Sequence, residues 1–580
     1  MLISCKTTEE RISQSDSFSF LIAQYQSFHE NSNPFNNPIR GKTNRQLPDI
    51  SEAGLKQRYL SVLNLISRLN AVDISALSTK EQVNHAVLLY KLQNEADNYT
   101  NKEHYMPLTA ESGFHIGLQW QINQAELTQV EDYQDYLYRL EALPAYFEQQ
   151  MYWMTRGIET GITQPKQAIK GFEHSIASFL VSTPEQSPYF LPFKNKPAFM
   201  DENTFNNLSQ KAKEIIAKDV TTSYQNFYDF FVNKYLPAAR STIGVSERPE
   251  GKNYYNNRVA HYTTTSLSAE QIHQIGLDEV ARIKAEMNEV IASLNYQGDF
   301  KSFVEFLRTD EQFYAKTPEE LLKEASYIAK KMDAQLPKLF KKLPRIPYGI
   351  APVPDNIAPK YTTGRYVGAR RDDQPGYYWV NTYQLNRRPL YVLEALTLHE
   401  AVPGHHLQNA LAREQEGVPK FRRHTYISAF GEGWGLYSEY LGKEAGFYQD
   451  PYSEFGRLTY EMWRACRLVV DTGMHIKGWS RQEAINFLAD NTALSLHNVT
   501  TEVDRYITWP AQALSYKIGE LTIKRLRKKA EKALGNKFDL REFHDQLLMH
   551  GSVPLSVLER LITEYIKKKG RHAKLTVGSR

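Results

Sequence analysis

The chemistry in this sequence concentrates in 393-LEALTLHEAVPGHHLQNA-410. His399 and Glu400 stand side by side in an apolar, helix-like run, and His405 and His406 follow Pro403-Gly404. Neutral imidazoles and a carboxylate in apolar surroundings are ligands that a zinc ion takes. A glutamate beside a ligand histidine is placed to draw a proton from metal-bound water.

The spacing departs from H-E-x-x-H, in which two histidines four apart share one helix face. Here His399 is followed by Glu400, Ala401, Val402, Pro403, Gly404 and His405, two residues longer. On an unbroken helix His405 would point roughly 120° away from His399, and His406 would return to the same face. Pro403 cannot donate to the carbonyl of His399, and Gly404 permits unusual backbone angles. A break at 402–404 could therefore swing His405 onto the site, and the residues alone leave His405 and His406 both open.

The elements that must hold this stretch are mostly helical. Apolar residues recur at helical spacing in 51–72, 80–99, 129–161, 167–180, 203–236, 269–295 and 317–342,. Ser51, Thr79 and Thr317 are placed as N-caps, and Ser268 with Gln271 as a capping box. The texture changes over 345–390, where Pro, Gly, β-branched and aromatic residues replace helix formers. The segments 345–350 and 377–383 read as short strands, which puts a small sheet just before the His399 helix. Helices resume over 428–445, 455–476, 480–490 and 510–533. The fold class expected is mainly α with a small sheet beside the metal-site helix. Residues 1–16 read as a flexible tether, 17–250 as an N-terminal helical region and 251–580 as the catalytic region, with a soft boundary that a single domain would also satisfy.

Composition narrows the function. Lys+Arg 70 against Asp+Glu 66, a net charge of +4, gives no reason to expect a nucleic-acid partner,. With Cys 2 in 580 residues, disulfide scaffolding and cysteine-rich zinc sites are both out,. No apolar run reaches the roughly 20 residues of a membrane span. The 36 Tyr are expected mainly in core and groove lining. Leu2-Ile3-Ser4-Cys5 is similar to a bacterial lipobox, the site where Cys5 would carry lipid. The apolar segment that should precede it is absent, so either the gene start is clipped or the match is chance.

His-Glu-x-x-Pro-Gly-His, followed by Glu432-Gly433-Trp434, resembles a family of bacterial lipoproteins catalogued as a domain of unknown function, itself similar to gluzincin metallopeptidases. The likeness extends from about residue 48 to 566. It implies His399 and His405 as zinc ligands, with His405 as the histidine directly after Pro-Gly. It places a third ligand, a glutamate, on a following helix, and the matching segment is 429-AFGEGWGLYSEYL-441. Glu432 is the expected ligand, 33 positions beyond His399. Taken alone it would be an ordinary solvated carboxylate. Gly431, Gly433 and Gly435 let two helices approach closely, and Glu439, at i+7, is placed to support a ligand histidine. Glu400 is the expected general base. Tyr516, in a stretch with the family's Pro-x-Gln-Ala pattern, is the expected oxyanion donor, with Arg505 and Tyr506 as substrate contacts. The strand 377–383 is expected at the sheet edge, beside an extended peptide substrate that Asn381 touches. Arg370, Arg371, Asp372 and Asp373 read as a charged turn or a carboxylate site. The activity implied is zinc-dependent peptide hydrolysis in the cell envelope. The alternatives are a metal- or peptide-binding lipoprotein without hydrolysis, or a zinc amidase on a non-peptide substrate.

Overall fold

Helices begin where the sequence supplies caps. Ser51 accepts from Gly54 N and starts Glu52–Asn70. Thr317 accepts from Glu320 N and starts Pro318–Asp333. The computed structural model describes residues 8–36, 45–355, 357–369 and 373–577. It is 71% helical with one three-stranded sheet, so the fold is mainly α with a small β component.

The chain divides into two units. The first takes in Met1–Ser78, Leu88–Ile243 and Glu247–Gly251. Its core is aromatic, with Tyr136, Phe147, Tyr189, Phe193, Tyr224 and Phe227 all buried. Buried phenols need partners, and they find one another: Tyr189 and Tyr224 hydroxyls lie 3.0 Å apart, and Tyr224 donates to His115 O at 2.8 Å. Residues 8–16, expected as a tether, instead open the helix Thr8–Ser32. Glu9, Glu10, Arg11 and Gln14 are polar but are good helix formers. Cys5 and the lipobox lie outside the described residues. The helix expected over 129–161 is two, Val130–Glu141 and Leu143–Thr160, divided ahead of Pro144,.

The second unit takes in Thr79–Val87, Gly244–Ser246 and Lys252–Arg580. Its sheet is built from β1 (Tyr348–Pro352), β2 (Gly364–Val367) and β3 (Gly376–Val380) in the order β1-β3-β2. β1 runs parallel to β3 and β2 antiparallel to it. The strand expected at the edge, 377–383, is therefore the central one. β2, too short and glycine-bounded to stand out as a strand, is an edge.

Seven helices of this unit frame the site: α1 (Ala269–Ser293), α2 (Leu393–Glu400), α3 (His405–Arg413), α4 (Ser428–Glu444), α5 (Pro451–Ile476), α6 (Leu496–Thr508) and α7 (Ser515–Leu534). α4 and α7 cross at Gly433 and Gly519. A Cβ on Gly433 would lie 2.5 Å from the Gly519 Cα, so two glycines are the condition for this approach. α7 is locked by Lys517, whose buried ammonium meets Glu279 of α1 at 2.9 Å, Glu461 of α5 at 2.8 Å and Glu520 at 2.7 Å. The adjacent residue is Tyr516, so the same lock fixes its position.

Removing one partner from such a cluster leaves buried charge uncompensated, which costs about 3–5 kcal/mol. Lys517→Met is expected to lower the urea midpoint accordingly. Lys323→Met, which removes an exposed pair with Glu319, is expected to change stability by less than about 1 kcal/mol. Equal midpoints for the two variants would contradict this role.

Candidate metal centre

The site starts with a broken helix. α2 ends at Glu400, and Ala401 (φ −92, ψ −112) and Gly404 (φ −77, ψ −125) leave helical geometry. The Val402–Pro403 peptide is cis. The turn is pinned from within by His406 N on Ala401 O at 3.1 Å, and from α4 by Trp434 Nε1 on Pro403 O at 2.8 Å. α3 then restarts at His405. The His399 and His405 rings end 4.7 Å apart and nearly perpendicular, at 88°.

Both rings face one carboxylate oxygen. His399 Nε2 lies 3.5 Å and His405 Nε2 3.4 Å from Glu432 Oε2. Ligand atoms of His399, Glu400 and His405 all lie within 4.8 Å of one another. α4 passes under the His399 ring at Gly435, where a Cβ would lie 2.7 Å from Cε1. No other residue type fits that crossing.

The outer atom of each group is committed elsewhere. His399 Nδ1 meets Glu439 Oε1 at 2.8 Å. Glu432 Oε1 accepts from the Tyr426 hydroxyl at 2.8 Å. His405 Nδ1 lies 2.7 Å from Gln408 Nε2, which also donates to Gly431 O at 3.0 Å. Glu400 Oε2 accepts from Tyr366 N of β2 at 2.7 Å.

The charged groups of the centre act on one another. Burial disfavours the His399 imidazolium, but Glu432 and Glu439 outweigh it and raise the pKa to about 9. Burial likewise opposes the Glu432 carboxylate, yet the two imidazoles hold it well below the usual carboxyl range. The donor set fits a divalent ion. Zinc–nitrogen and zinc–oxygen bonds of about 2.0–2.1 Å in a tetrahedron separate ligand atoms by about 3.3–3.4 Å, close to the separations found. One rearrangement is required. His405 Nδ1 lies within hydrogen-bond distance of the Gln408 amide nitrogen. To offer Nε2 to a metal the ring must carry the proton on Nδ1, with the Gln408 amide turned to present its oxygen.

His406 points elsewhere. Its Nδ1 lies 3.1 Å from the Tyr366 hydroxyl and its ring lies 4.6 Å from that of Tyr348, against the sheet. Burial lowers its pKa to about 4. Tyr516 does reach the centre: its ring stacks 6.5 Å from His399 at 22°, beneath the Arg467 guanidinium at 4.2 Å. Burial, then the Glu432 carboxylate, pushes its phenol up.

The remaining expected contacts are used inside the fold. Tyr506 is buried, donating to Glu502 Oε2 at 2.6 Å and accepting from Trp463 at 2.9 Å and Arg467 at 2.8 Å. Arg505 bonds Gln512 at 2.7 Å and Glu502 at 3.1 Å. They steady Arg467 over Tyr516 and present nothing to a substrate. Asn381 is fully buried, with its amide donating to Ala358 O, Tyr361 O and Thr362 O and its oxygen accepting from Tyr383 N. It ties the loop before β2 to the end of β3 and has no atom left for a peptide. Arg370, Arg371 and Asp372 lie outside the described residues. Sequence reasoning missed Tyr426, Gln408 and the Tyr366 amide. Gln408, three residues after His405, carried a helical-spacing signal; Tyr426 lies six residues before Glu432, in the link ahead of α4 where periodicity gives no direction, and the Tyr366 amide arrives from a strand 34 residues before Glu400.

The family model described as a bacterial protein of unknown function, DUF885, matches residues 34–562. The chain belongs to this family. Two solved bacterial proteins described as "putative lipoproteins" share the DUF885 chain's fold. The one from Colwellia psychrerythraea is 29% identical, covers 96% of this chain and 99% of its own, and superposes with a TM-score of 0.88. The one from Shewanella oneidensis, 17% identical, covers 95% and 99% with a TM-score of 0.71, and its likeness is of fold alone. No functionally curated protein matches.

His399→Ala, His405→Ala and Glu432→Ala are each expected to weaken zinc binding at least about a hundredfold, and His406→Ala to leave it intact, in chelator competition. Because the metal must displace the His399 proton, affinity is expected to fall by at least about tenfold per pH unit from pH 8 to pH 6. A flat pH dependence, or loss on His406→Ala alone, would contradict the assignment.

Proposed function

We propose that this DUF885 protein is a zinc-dependent hydrolase of peptide bonds, with His399, His405 and Glu432 as metal ligands and Glu400 as general base. The observation that carries the reading is the divided use of each donor: the outer atoms of His399, His405 and Glu432 are anchored by neighbouring side chains, while the inner atoms converge. Three protein ligands with a position left over are the pattern of a catalytic zinc, not a structural one. A zinc ion held there supplies Lewis acidity toward a water and a substrate carbonyl.

The rest is the work of the chain's own residues. Tyr366 N fixes Glu400 Oε2 and leaves Oε1 to take a proton and hand it to a leaving amine,. Tyr516, whose raised pKa keeps its proton at neutral pH, is the donor for negative charge on the carbonyl oxygen. A peptide is the substrate class favoured by β2: among the described residues no strand pairs with its outer edge, and that edge meets Glu400. Extended peptides bind such edges through main-chain hydrogen bonds. The Colwellia relative's description and the lipobox-like start support a place in the cell envelope with lipid on Cys5. Among the described residues no helix is long and apolar enough to cross a membrane.

Glu400→Gln removes the proton acceptor and keeps the shape. It is expected to bind zinc as the unaltered protein does and to lose about 10²–10⁴-fold in cleavage, read by mass spectrometry of a digested peptide library. Undiminished cleavage would remove Glu400 from its role.

A further inference from the structure

Glu432 divides its two oxygens between different tasks. Oε2 faces the Nε2 atoms of His399 and His405, at 3.5 and 3.4 Å. Oε1 accepts from the Tyr426 hydroxyl at 2.8 Å. Tyr426 lies in the three-residue link between the short helix Lys420–His424 and α4. Its neighbour Ile427 is fixed through N on Ser552 Oγ at 2.8 Å. The Tyr426 ring crosses α4 at Gly431, where a Cβ would lie 2.3 Å from ring carbons Cε2 and Cζ. It also stands edge-on to His405, with centroids 6.2 Å apart at 67°. Tyr426 is 45% exposed, yet its hydroxyl is turned onto the Glu432 carboxylate.

A carboxylate can give a metal one oxygen or both. If Glu432 gave both, a His–His–Glu centre that keeps its solvent would rise from four to five ligand atoms and crowd the position that substrate needs. The hydroxyl on Oε1 prevents this by engaging the second oxygen in a charge-assisted hydrogen bond. We propose that Tyr426 is a positioning residue that holds Glu432 to a single donor oxygen and thereby sets the coordination number of the bound metal. The inference rests on the metal-dependent reading above. It also accounts for Gly431, since any side chain there would displace the ring.

The test uses the full chain loaded with cobalt(II), whose visible bands weaken as coordination rises from four to five. Tyr426→Phe is expected to bind one cobalt with affinity equal to or tighter than the unaltered protein, and to show at least a twofold weaker visible band. Gly431→Ala, which keeps the hydroxyl but crowds it and the ring aside, the added Cβ lying 2.6 Å from the hydroxyl oxygen, is expected to weaken the band in the same way. It serves as the test should Tyr426→Phe fail to fold. Tyr296→Phe, which removes an exposed hydroxyl bonded to Ser302 O at 3.1 Å, is expected to keep the original spectrum. Unchanged bands in Tyr426→Phe and Gly431→Ala overturn the proposal. So does a tenfold weaker affinity with an unchanged band, which makes Tyr426 a prop for the loop only. If the unaltered protein takes up neither cobalt nor zinc, the metal reading itself fails, and this inference with it.

Discussion

The structure turns on a single carboxylate oxygen, Glu432 Oε2, that two imidazole nitrogens approach from different helices. Three ionisable groups in an interior site are costly unless something compensates their charge. Glu432 and Glu439 raise the pKa of His399 against the cost of burial, and the two imidazoles hold Glu432 below the usual carboxyl range. A cation at the same point would compensate the same charges. The convergence of these groups on one point is the constraint that the surrounding fold serves.

Rigidity around the centre comes from the second layer of contacts. Glu439, Gln408 and Tyr426 each hold the far side of one donor, and β2 holds Glu400 through a backbone amide. Behind them the helices are fixed by features with little freedom: the glycine crossing of α4 and α7, the crossing of α4 under His399 at Gly435, and Lys517 among its carboxylates. The same arrangement places Tyr516 on the His399 ring with Arg467 over it. Buried polar groups in this unit therefore act less as stabilisers than as fixers of position, since a buried ion pair adds little net stability over an apolar replacement.

Much of this was legible in the chain. A histidine and a glutamate adjacent on an apolar helix, and a second glutamate set among glycines on a later one, carry their meaning in residue type and short spacing. Helix caps such as Ser51, Ser268 and Thr317 are equally local. What was not legible depends on long-range geometry. Periodicity could not decide between His405 and His406, because the answer lies in the backbone angles of Ala401 and Gly404 and in Trp434 gripping Pro403. Asn381, Tyr506 and Arg505 are polar residues near the site in sequence, but the fold spends them on loop ties and a buried network. β3 was expected at the edge because its outer neighbour β2 was too short to be read as a strand; with β2 in place, β3 is central. Tyr426 was one tyrosine among many until the fold set it on Glu432.

The most direct measurement is a crystal structure of the zinc-soaked protein with anomalous data collected on both sides of the zinc absorption edge. The account predicts one strong peak among His399 Nε2, His405 Nε2 and Glu432 Oε2, with the Gln408 amide oxygen turned toward His405 Nδ1. A peak centred on His406, or no peak at saturating zinc, would contradict it.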